Sequence, residues 1–265
     1  MIRKPWRSWL QDPVYGAVEL ATRRRGVKRV VNDEVVRFPA RFSRYYPSDY
    51  EREKHDFLVR SCRPGSAALD LGAHLGLFTV TMARAVGRDG RVIAVEPTSS
   101  TREALRRTVR LNALDDVVDV RAEVVTDRAG QSVRFFETSD PLSNANSVVE
   151  TLRTTGSADR VSTTIDDLVD GQDRELSCVK LDIEGAELAA LQGAERTVRH
   201  HLPALAIEVH PRQLRDGGWS AADLWAWLAD TGYDVRCGAT LVSERWFSEQ
   251  EECFEIQAVV RRQKG

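Results

Sequence analysis

The chain predicts an α/β fold: a doubly wound, mostly parallel sheet with an antiparallel C-terminal strand, preceded by an N-terminal extension. Three observations carry this. Short apolar runs of strand length alternate with segments of helical period from Ala67 to Val209. Several runs end in an acid followed by a turn, as at Asp70-Leu-Gly72 and Glu96-Pro97. The last two runs, 233–237 and 254–260, follow one another with no strong helical pattern between them, as an antiparallel pair would.

Taken in order, residues 1–55 form the extension, with a helix expected over Pro13–Arg25 and a short hairpin over Val30–Phe38. The domain occupies 56–265. A helix over Ser48–Cys62 is closed by Pro64-Gly65, since proline cannot continue it. Ala67-Ala-Leu-Asp-Leu71 reads as a buried parallel strand, because the apolar run is continuous apart from Asp70. A helix follows over 77–86, a strand over 91–95, and a helix over 99–112 whose Ser99 or Ser100 precedes Glu103 in capping-box spacing. Strands over 117–124 and 133–136 come next. The stretch 137–156 is rich in Ser, Asn and Thr and has no period, so Ser139–Ser147 is expected as a substrate-facing lid. Strand 177–183, helix 186–199, strand 204–209 and helix 221–231 complete the alternation. No repeat or low-complexity linker divides the 265 residues, and this length suffices for one large core.

Composition excludes several classes. Net charge is −2 and 29% of residues are charged, ordinary for a globular protein. No apolar run approaches the ~20 residues needed to span a bilayer, and charged and polar residues interrupt Met1–Leu20, so no secretory leader is expected. The four cysteines, Cys62, Cys178, Cys237 and Cys253, form no Cys-x-x-Cys pair, which fits a reducing cytoplasm. Arg3, Lys4, Arg7, Arg23, Arg24, Arg25, Lys28 and Arg29 make the start basic. That charge suits a solvated helix, with peripheral contact to an anionic membrane as the alternative. No nucleic-acid module is evident.

The chemistry is densest where strand 67–71 breaks. Gly72 and Gly76 frame a turn (Gly72-Ala73-His74-Leu75-Gly76) that opens a helix, a place where backbone N–H groups meet a ligand. About 20 residues beyond Gly76, strand 91–95 ends in Glu96-Pro97, where an acid takes ribose hydroxyls. A dinucleotide fingerprint counted from Gly72 requires glycine at positions 74 and 77, which hold His74 and Leu77. No Gly-Lys-Ser/Thr phosphate loop is present. Asp70 beside the turn repels pyrophosphate and favours a cation. A ribose without phosphate and with a cationic amino-acid end describes S-adenosylmethionine (SAM).

The residues Leu69-Asp-Leu-Gly-Ala-His-Leu-Gly-Leu-Phe-Thr79, Val95-Glu-Pro97, Val161-Ser-Thr-Thr-Ile-Asp-Asp-Leu168, Val179-Lys-Leu-Asp-Ile-Glu-Gly-Ala-Glu-Leu188 and Pro203-Ala-Leu-Ala-Ile-Glu-Val-His210 resemble the FkbM family of SAM-dependent methyltransferases. The resemblance runs from about residue 55 to 260. It implies a Rossmann-like methyltransferase fold and O-methylation of a hydroxyl on a sugar, glycolipid or secondary metabolite. His74 stands where the family usually carries asparagine. The segment Arg121-Ala-Glu123 resembles the part that lines the base pocket, which makes Glu123 the expected acceptor for the adenine amino group.

Two further strand ends carry polar groups. Period-2 alternation sends Lys180, Asp182 and Glu184 to one face, and Glu208 and His210 share a face at the end of 204–209. Methyl transfer to a hydroxyl needs a proton acceptor, or a metal that acidifies the hydroxyl. His210 is the expected base, since imidazole titrates near neutrality, with Asp182 or Glu208 orienting it. The same carboxylates and histidine are an alternative set for Mg²⁺ or another divalent ion, although no diagnostic ligand spacing assigns one. The expected cofactor contacts are Asp70, Gly72, Ala73, His74, Gly76, Glu96, Pro97, Glu123 and Asp182. An N-methyltransferase is disfavoured because no Asn/Asp-Pro-Pro-Tyr/Phe string occurs. The competing class is a methyltransferase fold that binds cofactor or partner without catalysis.

Overall fold

The computed structural model describes residues 25–138, 146–149 and 154–260, together with Ala17 and Ala21. All of the helix expected over Pro13–Arg25 except Ala17, Ala21 and Arg25, and part of the expected lid, 139–145, lie outside the described residues.

The chain opens with a hairpin, β1 (Val27–Val31) and β2 (Glu34–Phe38), turned through Asn32 and Asp33. It continues through α1 (Arg52–Ser61), β3 (Ala67–Leu71), α2 (Leu77–Val86), β4 (Arg91–Val95), α3 (Ser99–Leu111) and β5 (Val118–Arg121). Next come β6 (Val124–Val125), β7 (Ser132–Thr138), β8 (Thr154–Thr163), α4 (Ile165–Val169), β9 (Leu176–Leu181), α5 (Glu187–Gln192) and α6 (Glu195–His201). The last elements are β10 (Ala204–Val209), α7 (Pro211–Asp216), α8 (Ala221–Asp230), β11 (Tyr233–Cys237), β12 (Thr240–Leu241), α9 (Glu244–Ser248) and β13 (Phe254–Val260).

Eight strands form the central sheet in the order β12-β11-β13-β10-β9-β3-β4-β5. From β10 to β5 every pair is parallel, while β13 runs antiparallel to both β10 and β11. Strand order reverses between β3 and β9, which puts the crevice of a doubly wound sheet beyond their carboxyl ends.

Alternation along the buried strands sorts the core into two layers. Leu69, Leu71, Val179, Leu181, Leu205 and Ile207 face α4–α9, with Leu188, Val198, Leu224 and Phe247 packed on them. Ala68, Cys178 and Ala206 face the other way, towards Phe57 and Leu58 of α1, Met82 of α2 and Leu105 of α3. Asp70 and Lys180 share that second face. The hairpin packs its Val31, Val36 and Phe38 onto Leu77, Val80 and Ala104.

The structure departs from the sequence reading at several places. The strand expected over 117–124 is two strands, β5 at the edge of the central sheet and β6 paired with β8. Strand 177–183 stops at Leu181, so Asp182 and Glu184 sit on the following turn and not in the row of Lys180. The helix expected over 186–199 is two helices. Gly193 separates them because its backbone is pressed on Thr126, where an added Cβ would lie 2.4 Å from the carbonyl oxygen. No capping box opens α3: its N-cap is Thr98 and no side chain caps it. The capping box is instead at Ser220 and Asp223, heading α8. Between β11 and β13 lie β12 and α9, and β13 inserts beside β10. Finally, β8 pairs with β7 and β6 in a separate three-stranded sheet. Its polar, largely exposed residues carry no apolar alternation, so pairing and not burial makes it a strand.

Candidate active site

The turn after β3 is bent back onto its neighbours. Gly72 and Ala73 both donate backbone N–H groups to the Val95 carbonyl at 3.0 Å. Gly72 has φ 77°, and a Cβ there would lie 1.9 Å from the Asp182 carbonyl oxygen, so only glycine lets the two strand ends meet. Gly76, at φ 88°, is the N-cap of α2. Gly72, His74, Glu96, Pro97 and Asp182 line a cleft, open to solvent, at the carboxyl ends of β3, β4 and β9.

Glu96 is almost wholly buried. Its Oε2 accepts the His74 N–H at 3.0 Å and its Oε1 the Thr98 N–H at 2.9 Å. Burial pushes its carboxyl up, against the opposing pull of those donors. The Thr98 hydroxyl also bonds this carboxylate, which keeps acceptor capacity for one further hydroxyl donor. Pro97 is held through its carbonyl, which accepts from Arg102 at 2.7 Å.

Asp182 stands at the other end of the cleft. Burial pushes its carboxyl up, but the Lys180 and Lys54 ammonium groups outweigh this and hold it below the usual range. Lys180 Nζ is 3.8 Å from Oδ2, and Oδ1 is buried without a hydrogen-bond partner among the described residues. A buried carboxylate oxygen with spare capacity calls for a donor.

Four expected cofactor contacts are placed differently. Asp70 is 0% exposed and does not reach the cleft. Its carboxylate pairs with Lys180 Nζ at 3.1 Å and accepts from Thr79 Oγ1 at 2.5 Å. The same ammonium donates to the Gly72 carbonyl at 3.1 Å, so Asp70 braces the turn and does not face a ligand. Glu123 does not line the cleft either: Arg121 grips its carboxylate, and the Ala122 N–H donates to it at 2.8 Å. Val125, Phe135 and Val148 supply an apolar wall there. Ala73 and Gly76 shape the turn without lining the cleft.

His210 and Glu208 belong to a second cluster beside Asp182. His210 Nδ1 lies 2.8 Å from Glu187 Oε1, and Nε2 lies 3.5 Å from Glu184 Oε2 and 3.9 Å from Glu208 Oε1. Burial pulls this imidazole down, but its contacts with Cys253, Glu187 and Glu184 raise it to about 12. These carboxylates favour the charged imidazolium, a form that donates protons and does not accept them, which weighs against the expected role of His210 as base. Asp182, Glu184 and His210 each offer a ligand atom within 4.8 Å of the others, the spacing of the alternative divalent-ion set. Glu208 does not orient the ring. It accepts from Lys54 Nζ at 3.0 Å and from Cys253 Sγ at 3.1 Å.

Several site residues escaped the sequence reading. Lys54 of α1 is 3% exposed and pairs with Glu51, Glu208 and Glu255. Tyr45 and Tyr46 of the extension cover the expected contact His74, with Tyr46 Oη 3.3 Å from its Nδ1 and the Tyr45 ring centroid at 4.9 Å. Asn146 borders the cleft and donates to Thr98 Oγ1 at 3.0 Å. His55 is buried between Glu34 and Asp56.

Comparison with known proteins places this geometry. A search of curated proteins returned no match. Solved structures with a similar chain path include an FkbM methyltransferase from Methylobacillus flagellatus, 16% identical, covering 94% of this chain and 59% of that one at a TM-score of 0.48. A SAM-dependent O-methyltransferase from Thermotoga maritima is 12% identical, with 82% and 68% covered at a TM-score of 0.45. An rRNA methylase from Streptococcus thermophilus is 10% identical, with 80% and 96% covered at 0.45. The family model for the methyltransferase FkbM domain matches residues 70–235, more than half of the chain and including the cleft and the acid cluster. The chain belongs to the FkbM methyltransferase family.

Proposed function

We propose that the protein is a SAM-dependent O-methyltransferase acting on a hydroxyl of a sugar, glycolipid or secondary metabolite. The observation that carries this reading is the pairing of two carboxylates in one cleft. Glu96 keeps acceptor capacity for a ribose hydroxyl, and the orphaned Oδ1 of Asp182 suits a cationic amino-acid end. SAM supplies an electrophilic methyl group on a sulfonium when bound. The chain's own part is positional: Glu96 anchors the ribose, Val125 and Phe135 pack the base, and the Gly72 turn lets backbone approach closely.

The acid cluster beside Asp182 supports oxygen as the acceptor atom, since a hydroxyl must lose its proton as it attacks. Among the described residues no helix is long and apolar enough to cross a membrane. We place the enzyme in the cytoplasm, acting on a small-molecule or glycan acceptor. Labelled methyl transfer from SAM to paired panels of hydroxyl and amine acceptors tests the reading. Transfer to hydroxyls supports it, transfer to amines alone overturns the O-specific part, and tight SAM binding with no transfer favours a non-catalytic module.

A further inference from the structure

We propose that Asn146 is a positioning residue for SAM: through the Thr98 hydroxyl it aims the Glu96 carboxylate at the ribose. This rests on the methyl-transfer reading above and names a residue outside the β3 turn on which cofactor binding depends.

Residues 146–149 cross the cleft as a strap. Ser147 forms an antiparallel bridge with Phe136 of β7, its carbonyl accepting the Phe136 N–H at 2.7 Å and its N–H donating to the Phe136 carbonyl at 3.1 Å. Ser147 Oγ donates to the Glu184 carbonyl, just past β9, at 2.5 Å. Val148 lines the cleft, and Val149 packs towards Gly217, where an added Cβ would lie 3.5 Å from its Cγ2. Asn146 reaches the other side, where Thr98 follows β4. One short segment therefore joins the ribose side of the cleft to the turn after β9.

The hydrogen bonds of Asn146 can run in only one direction. The Thr138 N–H can only donate, and it lies 2.8 Å from Asn146 Oδ1. The amide oxygen is thereby fixed towards β7, and Nδ2 towards Thr98 Oγ1 at 3.0 Å. Nδ2 also only donates, so Thr98 Oγ1 accepts, and its single proton is left for its other partner, the Glu96 carboxylate. Thr98 is the N-cap of α3, yet its hydroxyl caps no helix N–H. A threonine at that position ordinarily serves the helix. Here the hydroxyl serves Glu96, and Asn146 sets its direction.

The neighbouring contacts hold backbone. Arg160 of β8 donates from Nε to the Pro97 carbonyl at 3.3 Å, and Arg102 donates from Nη1 to the Glu96 and Pro97 carbonyls at 2.8 and 2.7 Å. The carboxylate itself is held by the His74 N–H, the Thr98 N–H and the Thr98 hydroxyl. Two of these donors are fixed by the backbone. Only the hydroxyl rotates, so only it needs a second residue to orient it.

The test is calorimetric titration of S-adenosylhomocysteine and its 2′-deoxy and 3′-deoxy analogues into wild type, Asn146→Ala, Thr98→Val and the double variant. Each single variant should weaken S-adenosylhomocysteine roughly tenfold. The double variant should lose about the same factor, because both changes break one chain of bonds. Independent effects would multiply to roughly a hundredfold. The analogue lacking the hydroxyl held by Glu96 should bind wild type about tenfold more weakly, and this gap should shrink to about threefold or less in the variants. A merely structural role would weaken all three ligands alike and leave the gap unchanged. Asn146→Asp keeps the acceptor for Thr138 but draws the Thr98 proton away from Glu96, so it should show the same loss and the same narrowed gap. That variant decides the matter if Asn146→Ala does not fold. Multiplying losses, or an undiminished gap, overturns the proposal. Failure of the folded wild type to bind SAM or S-adenosylhomocysteine overturns the methyltransferase reading instead. Amide exchange then judges Asn146 on its own: the Thr98 N–H should exchange roughly tenfold faster in Asn146→Ala than in wild type, and equal rates overturn the link.

Discussion

The buried pair of Asp70 and Lys180 offers a sharp test of how the turn is held. The two are direct neighbours in the parallel register of β3 and β9, 3.1 Å apart, with 0% and 3% of their side chains exposed. At an effective dielectric constant of about 20, that distance corresponds to an attraction of roughly 5 kcal/mol. Lys180→Met removes it and leaves the Asp70 carboxylate buried, with the Leu71 and Gly72 carbonyls also deprived of a donor. Removing one partner of a buried pair costs about 3–5 kcal/mol. With a urea slope near 3 kcal/mol per molar, the unfolding midpoint should drop by roughly 1 M or more. Adding Asp70→Asn removes the stranded charge while keeping an acceptor for Thr79, and should restore most of the loss. The coupling in this double-mutant cycle should therefore be about 2 kcal/mol or more. Single losses under about 1 kcal/mol, or simple additivity, would refute the brace. Asp70 would then be free to face the ligand.

Three further outcomes are expected. Gly72→Ala forces a left-handed alanine (~1–2 kcal/mol) and a clash with the Asp182 carbonyl oxygen, so thermal unfolding should show a clear loss and SAM binding should fail. Asp166 accepts the Arg196 and Thr197 N–H groups at the start of α6; burial raises its carboxyl, but those bonds outweigh it and hold it low. A lowered value contributes stability above the ordinary pKa that is lost as pH falls through the folded one. Asp166→Asn should cost roughly 0.5–1 kcal/mol at neutral pH, a gap in urea midpoints that shrinks below about pH 4. His210 has the opposite sign. Its value, raised from 6.5 to about 12, gives stability fully present below 6.5 and lost as pH rises towards 12. The stability gap between wild type and His210→Gln should therefore narrow on going from about pH 7 to pH 9.

Much of the scaffold was legible because buried parallel strands are short apolar runs. The bounds of β3, α2, β4 and β10 follow from the residues alone, as do the Gly72–Gly76 turn and the acid ending β4. What escaped depends on neighbours distant in sequence. Asp70 and Lys180 meet only because β3 lies beside β9, a pairing that the residues of neither strand declare. Lys54 reaches Glu208 across 154 positions. His210 reads as a base in isolation and becomes a cation once Glu187, on the helix after the preceding strand, packs on its Nδ1. The polar strand β8 has no burial pattern to betray it.

The central claim is that Glu96 holds the ribose of SAM in the cleft after β3. Calorimetric titration of SAM and NAD⁺ into wild type and Glu96→Ala tests it most directly. The account predicts micromolar binding of SAM alone, weakened about tenfold or more in the variant (~1.4 kcal/mol or more). Absence of SAM binding by the folded wild type, or equal affinity in the two proteins, would contradict it.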